Sequence, residues 1–336
     1  MIPRTRSASH TPSWQKALAC AVTDPAELLR LLQLDPALLP GAQRAARLFP
    51  LRAPRGYVAR MRRGDPSDPL LRQVLPLDDE CVAASGFVTD PVGDLAAMIV
   101  PGVLRKYRGR ALLVTTGACA VHCRYCFRRH FPYGEAHAAK EGWRAAIQYL
   151  LAEPSVTEVI LSGGDPLTLS DRKLAELCAM LAEIKHIQRL RVHTRLPIVL
   201  PERVDDTLLR TLTSTRLQTV MVVHANHANE LDDAVGEALA SLRHAGIILL
   251  NQTVLLRGVN DQSDTLADLS EALFAAGVLP YYLHLLDPVQ GAAHFDVPEA
   301  TGRALMANLC ARLPGYLVPR LVREEEGEPG KLLLAP

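Results

Sequence analysis

From Arg110 onward the chain alternates between short runs of β-branched and aliphatic residues and longer stretches whose apolar positions recur at helical spacing. The apolar runs predict strands at 110–116, 156–161, 190–194, 217–224, 247–254 and 281–286. Between and after them, amphipathic stretches predict helices near 137–152, 171–186, 203–213, 230–245, 262–276 and 298–312. Six βα units in succession imply a parallel sheet, and right-handed crossovers allow such a sheet to curl into a barrel or an open part-barrel. The expected architecture is therefore α/β: a partial (β/α)6 TIM-like barrel over 106–312, a mainly helical accessory region over 1–105, and a C-terminal segment, 313–336, that closes the barrel mouth.

The first 105 residues lack the alternation and are rich in Pro and Arg. Two short helices are predicted there, 11–22 and 24–34, the second opened by Asp24-Pro25 as cap and first turn. Leu28, Leu29, Leu31 and Leu32 form a face that must pack on something, and the basic run Arg60, Arg62, Arg63 reads as solvated surface. With 336 residues, 49% of them hydrophobic and 22% charged, the chain can bury a substantial core. Its 37 Lys and Arg against 36 Asp and Glu leave a net charge of +1, which provides no global field for nucleic acid or a membrane surface. No apolar run approaches a membrane span. Seven cysteines, an odd number without the spread of a disulfide framework, point to a reducing compartment, read as the cytoplasm.

Three of those cysteines, Cys119, Cys123 and Cys126, follow the first predicted strand as C-x3-C-x2-C. Thiolates this close repel one another unless something positive lies between them. A closed structural zinc site takes four protein ligands, whereas a cluster held by three cysteines leaves one iron open to an outside ligand. From the residues alone, zinc completed by His122 or His130, a redox thiol pair and inert packing stay open beside the cluster. The other chemistry-bearing residues fall at matching places: Ser162-Gly163-Gly164-Asp165-Pro166, Thr194-Arg195, His224, Asn251-Gln252 and Asp287 all lie at or past predicted carboxyl ends of strands. That rim is where catalytic groups converge in βα barrels, although each of these is also ordinary turn chemistry.

The cysteine triplet, followed after the second strand by the SGGDPL turn at 162–167, resembles the signature of the radical S-adenosylmethionine enzymes. Within that superfamily the chain is similar to the lysine 2,3-aminomutase family from about residue 66 onward, on CAVHCRYCFRRH at 119–130, SGGDPL at 162–167, TRLPIVLPER at 194–203, NQTVLLRGVN at 251–260, PYYLHLLD at 280–287 and EPGK at 328–331. The resemblance implies that Cys119, Cys123 and Cys126 hold a [4Fe-4S] cluster whose open iron chelates S-adenosylmethionine. It implies that Ser162, Gly163, Gly164 and Asp165 form the turn beside the methionine part of that cofactor, and that Lys331 binds pyridoxal 5′-phosphate as an imine. Tyr107, Arg110 and Arg195 are then candidates for the pyridoxal phosphate group, and His224 and Gln252 fall where family members contact cofactors. Arg128 would take the substrate carboxylate, and Asp287 and Glu324 the distal ammonium, which prefers L-lysine over the alternative, glutamate or another amino acid.

The chemistry so implied is 2,3-amino migration on a substrate imine, begun by a deoxyadenosyl radical that removes a β hydrogen. An external electron donor such as flavodoxin would reduce the cluster. Glu324 replaces the aspartate found seven residues before the lysine in lysine-specific members, and five residues follow Lys331. Both features resemble the shorter branch, which makes (R)-β-lysine for modification of elongation factor P by its ligase. A homo-oligomer is a further expectation.

Overall fold

In a computed structural model, residues 14–134 and 143–335 are described. Ten strands form one sheet in sequence order: β1 Met98–Val100, β2 Val103–Leu104, β3 Arg110–Thr116, β4 Glu158–Gly163, β5 Arg189–Thr194, β6 Gln218–Val223, β7 Ile248–Val254, β8 Leu279–His284, β9 Arg320–Arg323 and β10 Leu332–Leu333. From β3 to β9 every pairing is parallel. Antiparallel strands finish both sides, β1 and β2 before β3, and β10 after β9. No pairing joins β1 to β10 among the described residues, so the barrel is open.

Period-two alternation along these strands decides what the barrel holds, because successive side chains point to opposite faces. Leu113, Val159, Leu161, Leu190, Val192, Met221, Val223 and Leu249 join the main hydrophobic core. Their alternates, including Arg110, Leu112, Ile160, Ser162, Arg191, His193, Gln252, Tyr282 and His284, line one interior cavity. The outer face is thus an apolar bed for helices, and the inner face is largely polar.

Seven helices follow or flank the parallel strands: α6 Arg144–Ala152, α7 Asp171–Glu183, α8 Leu196–Val199, α9 Asp206–Thr213, α10 Asp233–His244, α11 Ser263–Ala275 and α12 Glu299–Arg312, after α1 Trp14–Ala19, α2 Pro25–Leu31, α3 Leu39–Leu48, α4 Arg55–Ala59 and α5 Pro69–Arg72 in the N-terminal region. Side chains of Asp24, Ser170, Asp205 and Asp232 accept from backbone N–H groups at the starts of α2, α7, α9 and α10, satisfying donors that a helix leaves free. Leu28, Leu29 and Leu32 are buried in the same core as the barrel strands.

Several expectations change. Residues 11–13 and 137–142 of two predicted helices lie outside the described residues; the first helix ends at Ala19, and Val22 instead forms a bridge with Ala53. Helices α3, α4 and α5, and strands β1, β2, β9 and β10, go beyond the predicted elements; most are two to five residues long, too short to show a period. Arg60 is not solvated surface: its guanidinium donates to the carbonyls of Glu230 at 2.6 Å and Ile198 at 2.7 Å, tying the N-terminal region to the rim. Among the described residues no helix is long and apolar enough to cross a membrane.

The N-terminal region also braces the cysteine loop. The His122 N–H donates to the Arg52 carbonyl and the Arg124 N–H to the Gln73 carbonyl, each at 2.9 Å. Arg124 and Arg129 share the fully buried carboxylate of Glu80, at 2.6 and 2.8 Å, and both guanidinium groups lie over the Phe49 ring. Removing Glu80 would leave two buried cations unpaired.

Candidate active site

The cysteine loop follows β3 directly, and backbone contacts fix it on the turn after β4. The Gly164 N–H donates to the Thr116 carbonyl at 2.7 Å and the Asp165 N–H to the Ala118 carbonyl at 2.8 Å. A Cβ on Gly164 would lie 2.3 Å from the Ala118 oxygen, and Gly163 has φ +115° with the Thr116 oxygen 2.8 Å from its absent Cβ. These two glycines therefore let the turn press against the cysteine loop itself. Asp165 joins the turn to the end of β5: its carboxylate accepts from Thr194 Oγ1 at 2.7 Å, the Arg195 N–H at 2.7 Å and the Leu167 N–H at 3.0 Å. Burial pushes the Asp165 carboxyl up to about 6 despite these donors.

All three cysteines are free thiols lining the cavity. Burial, then the neighbouring thiols, raise Cys119 well above its ordinary value, and burial and Cys123 push Cys126 up to about 11. Three thiolates here call for a positive group between them. Among the described residues no group of three or more His, Cys, Asp or Glu side chains is gathered as for a single metal ion.

At the other end of the cavity, charges of alternating sign form a chain. Arg128 donates through Nη1 to Ser162 Oγ at 3.0 Å and through Nε to Asp94 at 2.6 Å. Asp94 also pairs with Lys106 Nζ at 2.6 Å, Lys106 with Glu324 at 2.8 Å, and Glu324 with Lys331 Nζ at 2.5 Å. Burial would raise the Asp94 and Glu324 carboxyls, but Arg128 and Lys106 hold the first below its usual range, and Lys331 and Lys106 hold the second well below. Asp287 differs. It has no ion-pair partner among the described residues, and burial plus the Glu324 charge push its carboxyl up to about 7.

Every site residue implied by the resemblance lines this one cavity: the three cysteines, Ser162 to Asp165, Tyr107, Arg110, Arg128, Arg195, His224, Gln252, Asp287, Glu324 and Lys331. Their local settings vary. Arg110 lies 4.8 Å over the Tyr107 ring with no hydrogen-bond acceptor among the described residues, which leaves its donors available to an anion. His224 lies within 3.2 Å of the Tyr125 hydroxyl, and burial lowers it to about 3, so it is neutral. Both terminal nitrogens of Arg195, expected as a candidate for the phosphate group, are engaged by Cys123, Tyr125, Gln73, Glu230 and Tyr57. Glu324, expected at the distal ammonium, already holds two lysines.

The radical SAM superfamily profile matches residues 113–269. Over 327 residues the chain is 53% identical to L-lysine 2,3-aminomutase of Escherichia coli (strain K12), covering 96% of this chain and 95% of that one. The chain belongs to the lysine 2,3-aminomutase family. Proteins of the same name from Haemophilus influenzae and Buchnera aphidicola are 46% and 43% identical, covering 100% and 99% of this chain and 99% and 98% of theirs. As a radical SAM member of the aminomutase family, the chain is an isomerase that uses a [4Fe-4S] cluster, S-adenosylmethionine and pyridoxal phosphate. Its residues fit these groups: three thiols line one end of the cavity, and at the other lie the Lys331 amine and Arg110, whose guanidinium has no hydrogen-bond acceptor among the described residues.

Sequence reasoning missed several residues that line this cavity. Asp94 and Lys106 link Arg128 to Glu324 across separations of 34 and 218 residues, which no local pattern reveals. His193 and His284 line the cavity with buried Nε2 atoms that have no hydrogen-bond partner among the described residues. A signal for these two existed: each falls at or next to the carboxyl end of its strand, on the face that lines the cavity.

Proposed function

We propose that the protein moves the α-amino group of L-lysine to C3, giving β-lysine, in the cavity of the open barrel. The observation that carries the assignment of residues is that the three-cysteine loop and Lys331 face one space, with the Asp287 carboxylate, which has no ion-pair partner among the described residues, beside them. When bound, the cluster and S-adenosylmethionine supply a radical able to take a β hydrogen, and pyridoxal phosphate supplies a carbonyl and conjugated ring for the migrating nitrogen. Cys119, Cys123 and Cys126 hold the cluster. The Ser162 to Asp165 turn borders S-adenosylmethionine, and Lys331, Tyr107 and Arg110 hold the pyridoxal.

Arg128 orients the substrate. Asp94 and Ser162 fix Nε and Nη1, and Nη2, without a protein acceptor among the described residues, points the remaining donors at a carboxylate. Asp287 takes the distal ammonium, which draws its carboxyl into the charged form; a glutamate side chain would instead face Asp287 and Glu324 with like charge. Glu324 Oε2 holds Lys331 Nζ, and when that amine leaves, Oε1 stays on Lys106, so the carboxylate keeps a counter-ion. Inward Leu112, Ile160 and Val254 help to keep water from the reacting atoms.

The finer reading is that the product is (R)-β-lysine, passed to elongation factor P by its ligase, with a flavodoxin-type donor reducing the cluster. Glu324, seven residues before Lys331, supports that branch. A cytoplasmic setting is supported by the free state of all seven cysteines. Competition between L-lysine and L-glutamate, with chiral chromatography of the products, tests these assignments. The expected result is (R)-β-lysine and no β-glutamate; the S product would remove the branch assignment, and β-glutamate would remove the role of Asp287.

A further inference from the structure

Arg195 follows β5 and is 6% exposed, yet its position is not fixed by its neighbours in sequence. Its backbone N–H is held by Asp165, and its side chain reaches the cysteine loop. Nη1 donates to Cys123 Sγ at 2.7 Å and to the Tyr125 hydroxyl at 2.8 Å. Nη2 donates to Gln73 Oε1 at 2.6 Å, Glu230 Oε2 at 2.8 Å and the Tyr57 hydroxyl at 3.3 Å. Glu230 is fully buried, and its other oxygen accepts from Gln73 Nε2 at 3.1 Å and the Asn226 N–H at 2.9 Å. A desolvated cation, a desolvated anion and one cysteine sulfur thus lie in a row, with Tyr57 and Gln73 from the N-terminal region completing the shell.

We infer that Arg195 is a positioning residue that sets the reduction potential of the cluster through Cys123, and that Glu230 limits its effect. The inference rests on Cys123 being a cluster ligand. Gaining an electron makes an iron–sulfur cluster and its thiolates more negative, so a hydrogen bond and a positive charge at a ligand sulfur stabilise the reduced state more than the oxidised one. Burial strengthens the effect, because little water screens the guanidinium. Glu230 opposes it from the far side of the same guanidinium. The arrangement gives the N-terminal helices a role beyond packing, since α4 and the end of α5 supply Tyr57 and Gln73, which hold the arginine against the sulfur.

The test uses the full chain reconstituted with iron and sulfide, titrated with dithionite through mediators and followed by electron paramagnetic resonance, without S-adenosylmethionine or lysine. Arg195→Met is expected to lower the reduction equilibrium constant about tenfold, a shift of about 59 mV to more negative potential for a one-electron couple. Arg195→Lys, which keeps the charge with a different donor geometry, shifts less in the same direction. Glu230→Gln shifts the other way, since it leaves the guanidinium uncompensated. Arg195→Met with wild-type iron content and an unchanged or raised potential would overturn the inference. Should that variant not retain iron, Glu230→Gln decides, an unchanged or lowered potential being the overturning result. A wild-type chain that binds no cluster would overturn the assignment of the cysteines first and this inference with it.

Discussion

At the cysteine end of the cavity, polar side chains and glycines are placed by backbone: Gly164 and Asp165 donate their N–H groups to the cysteine loop, and Asp165 binds the N–H groups at the start of the next turn. At the lysine end almost nothing local holds the site. Arg128, Asp94, Lys106, Glu324 and Lys331 are fixed by one another, and the three segments that supply them, the 90–106 stretch, the cysteine loop and the tail, meet only in the folded barrel. The first end is a scaffold of turns that follow parallel strands, where a mutation is felt as geometry. The second is a set of mutually neutralised charges, where a mutation is felt as an uncompensated ion.

The sharpest way to separate the two ends is to disable each alone. Cys126→Ala should abolish turnover and the brown iron–sulfur chromophore while leaving pyridoxal loading at Lys331, read from its visible absorbance. Lys331→Ala should abolish turnover and that pyridoxal band while iron and sulfide stay at wild-type content. Next comes Asp94→Asn, which strips the shared counter-ion from Arg128 and Lys106. Breaking a buried pair costs about 3–5 kcal/mol, so the urea midpoint should fall clearly and lysine binding with it, whereas an unchanged midpoint would mean the charges relax to water.

Asp287→Asn should act on binding rather than folding. Losing a charge-assisted partner is worth about 1.5–3 kcal/mol, so the lysine KM should rise roughly 10–100-fold. The same residue predicts a pH effect. Its carboxyl, raised to about 7, is protonated in acid and then cannot pair with an ammonium, so lysine affinity of the wild type should fall below about pH 7. Asp287→Asn should lose that dependence. The smallest effect belongs to Glu324→Asp: one methylene less lets the carboxylate reach one of Lys106 and Lys331 but not both, lowering stability by about 1 kcal/mol with iron content unchanged.

The same contrast governs what could be read from the sequence. Strands 110–116 and 248–254 and the helices after them follow from periodicity, and the cysteine end follows from residues at strand ends, because those motifs are short and contiguous. Strand β9, the four residues RLVR after α12, carries too little pattern to be recognised, yet it is the seventh parallel strand and brings Glu324 to the cavity. Asp94 sits in a loop of turn-forming residues where a buried aspartate resembles any other turn aspartate. Arg195 was legible as a residue at the mouth of the barrel, but its contacts were not. Position after a strand says that a side chain faces the mouth, and only the fold says that its acceptor is Cys123. Across residue 105 β2 pairs with β3, and one hydrophobic core joins the N-terminal helices to the barrel.

The most direct measurement of the joint site is anaerobic turnover of L-lysine by dithionite-reduced, iron-loaded protein with S-adenosylmethionine and pyridoxal phosphate, followed by chromatography of the amino acids. β-Lysine is expected from the wild type and none from Cys126→Ala or Lys331→Ala, each of which keeps the opposite end loaded. A wild-type protein carrying full cluster and pyridoxal that yields no β-lysine would contradict the assignment of both ends to one reaction.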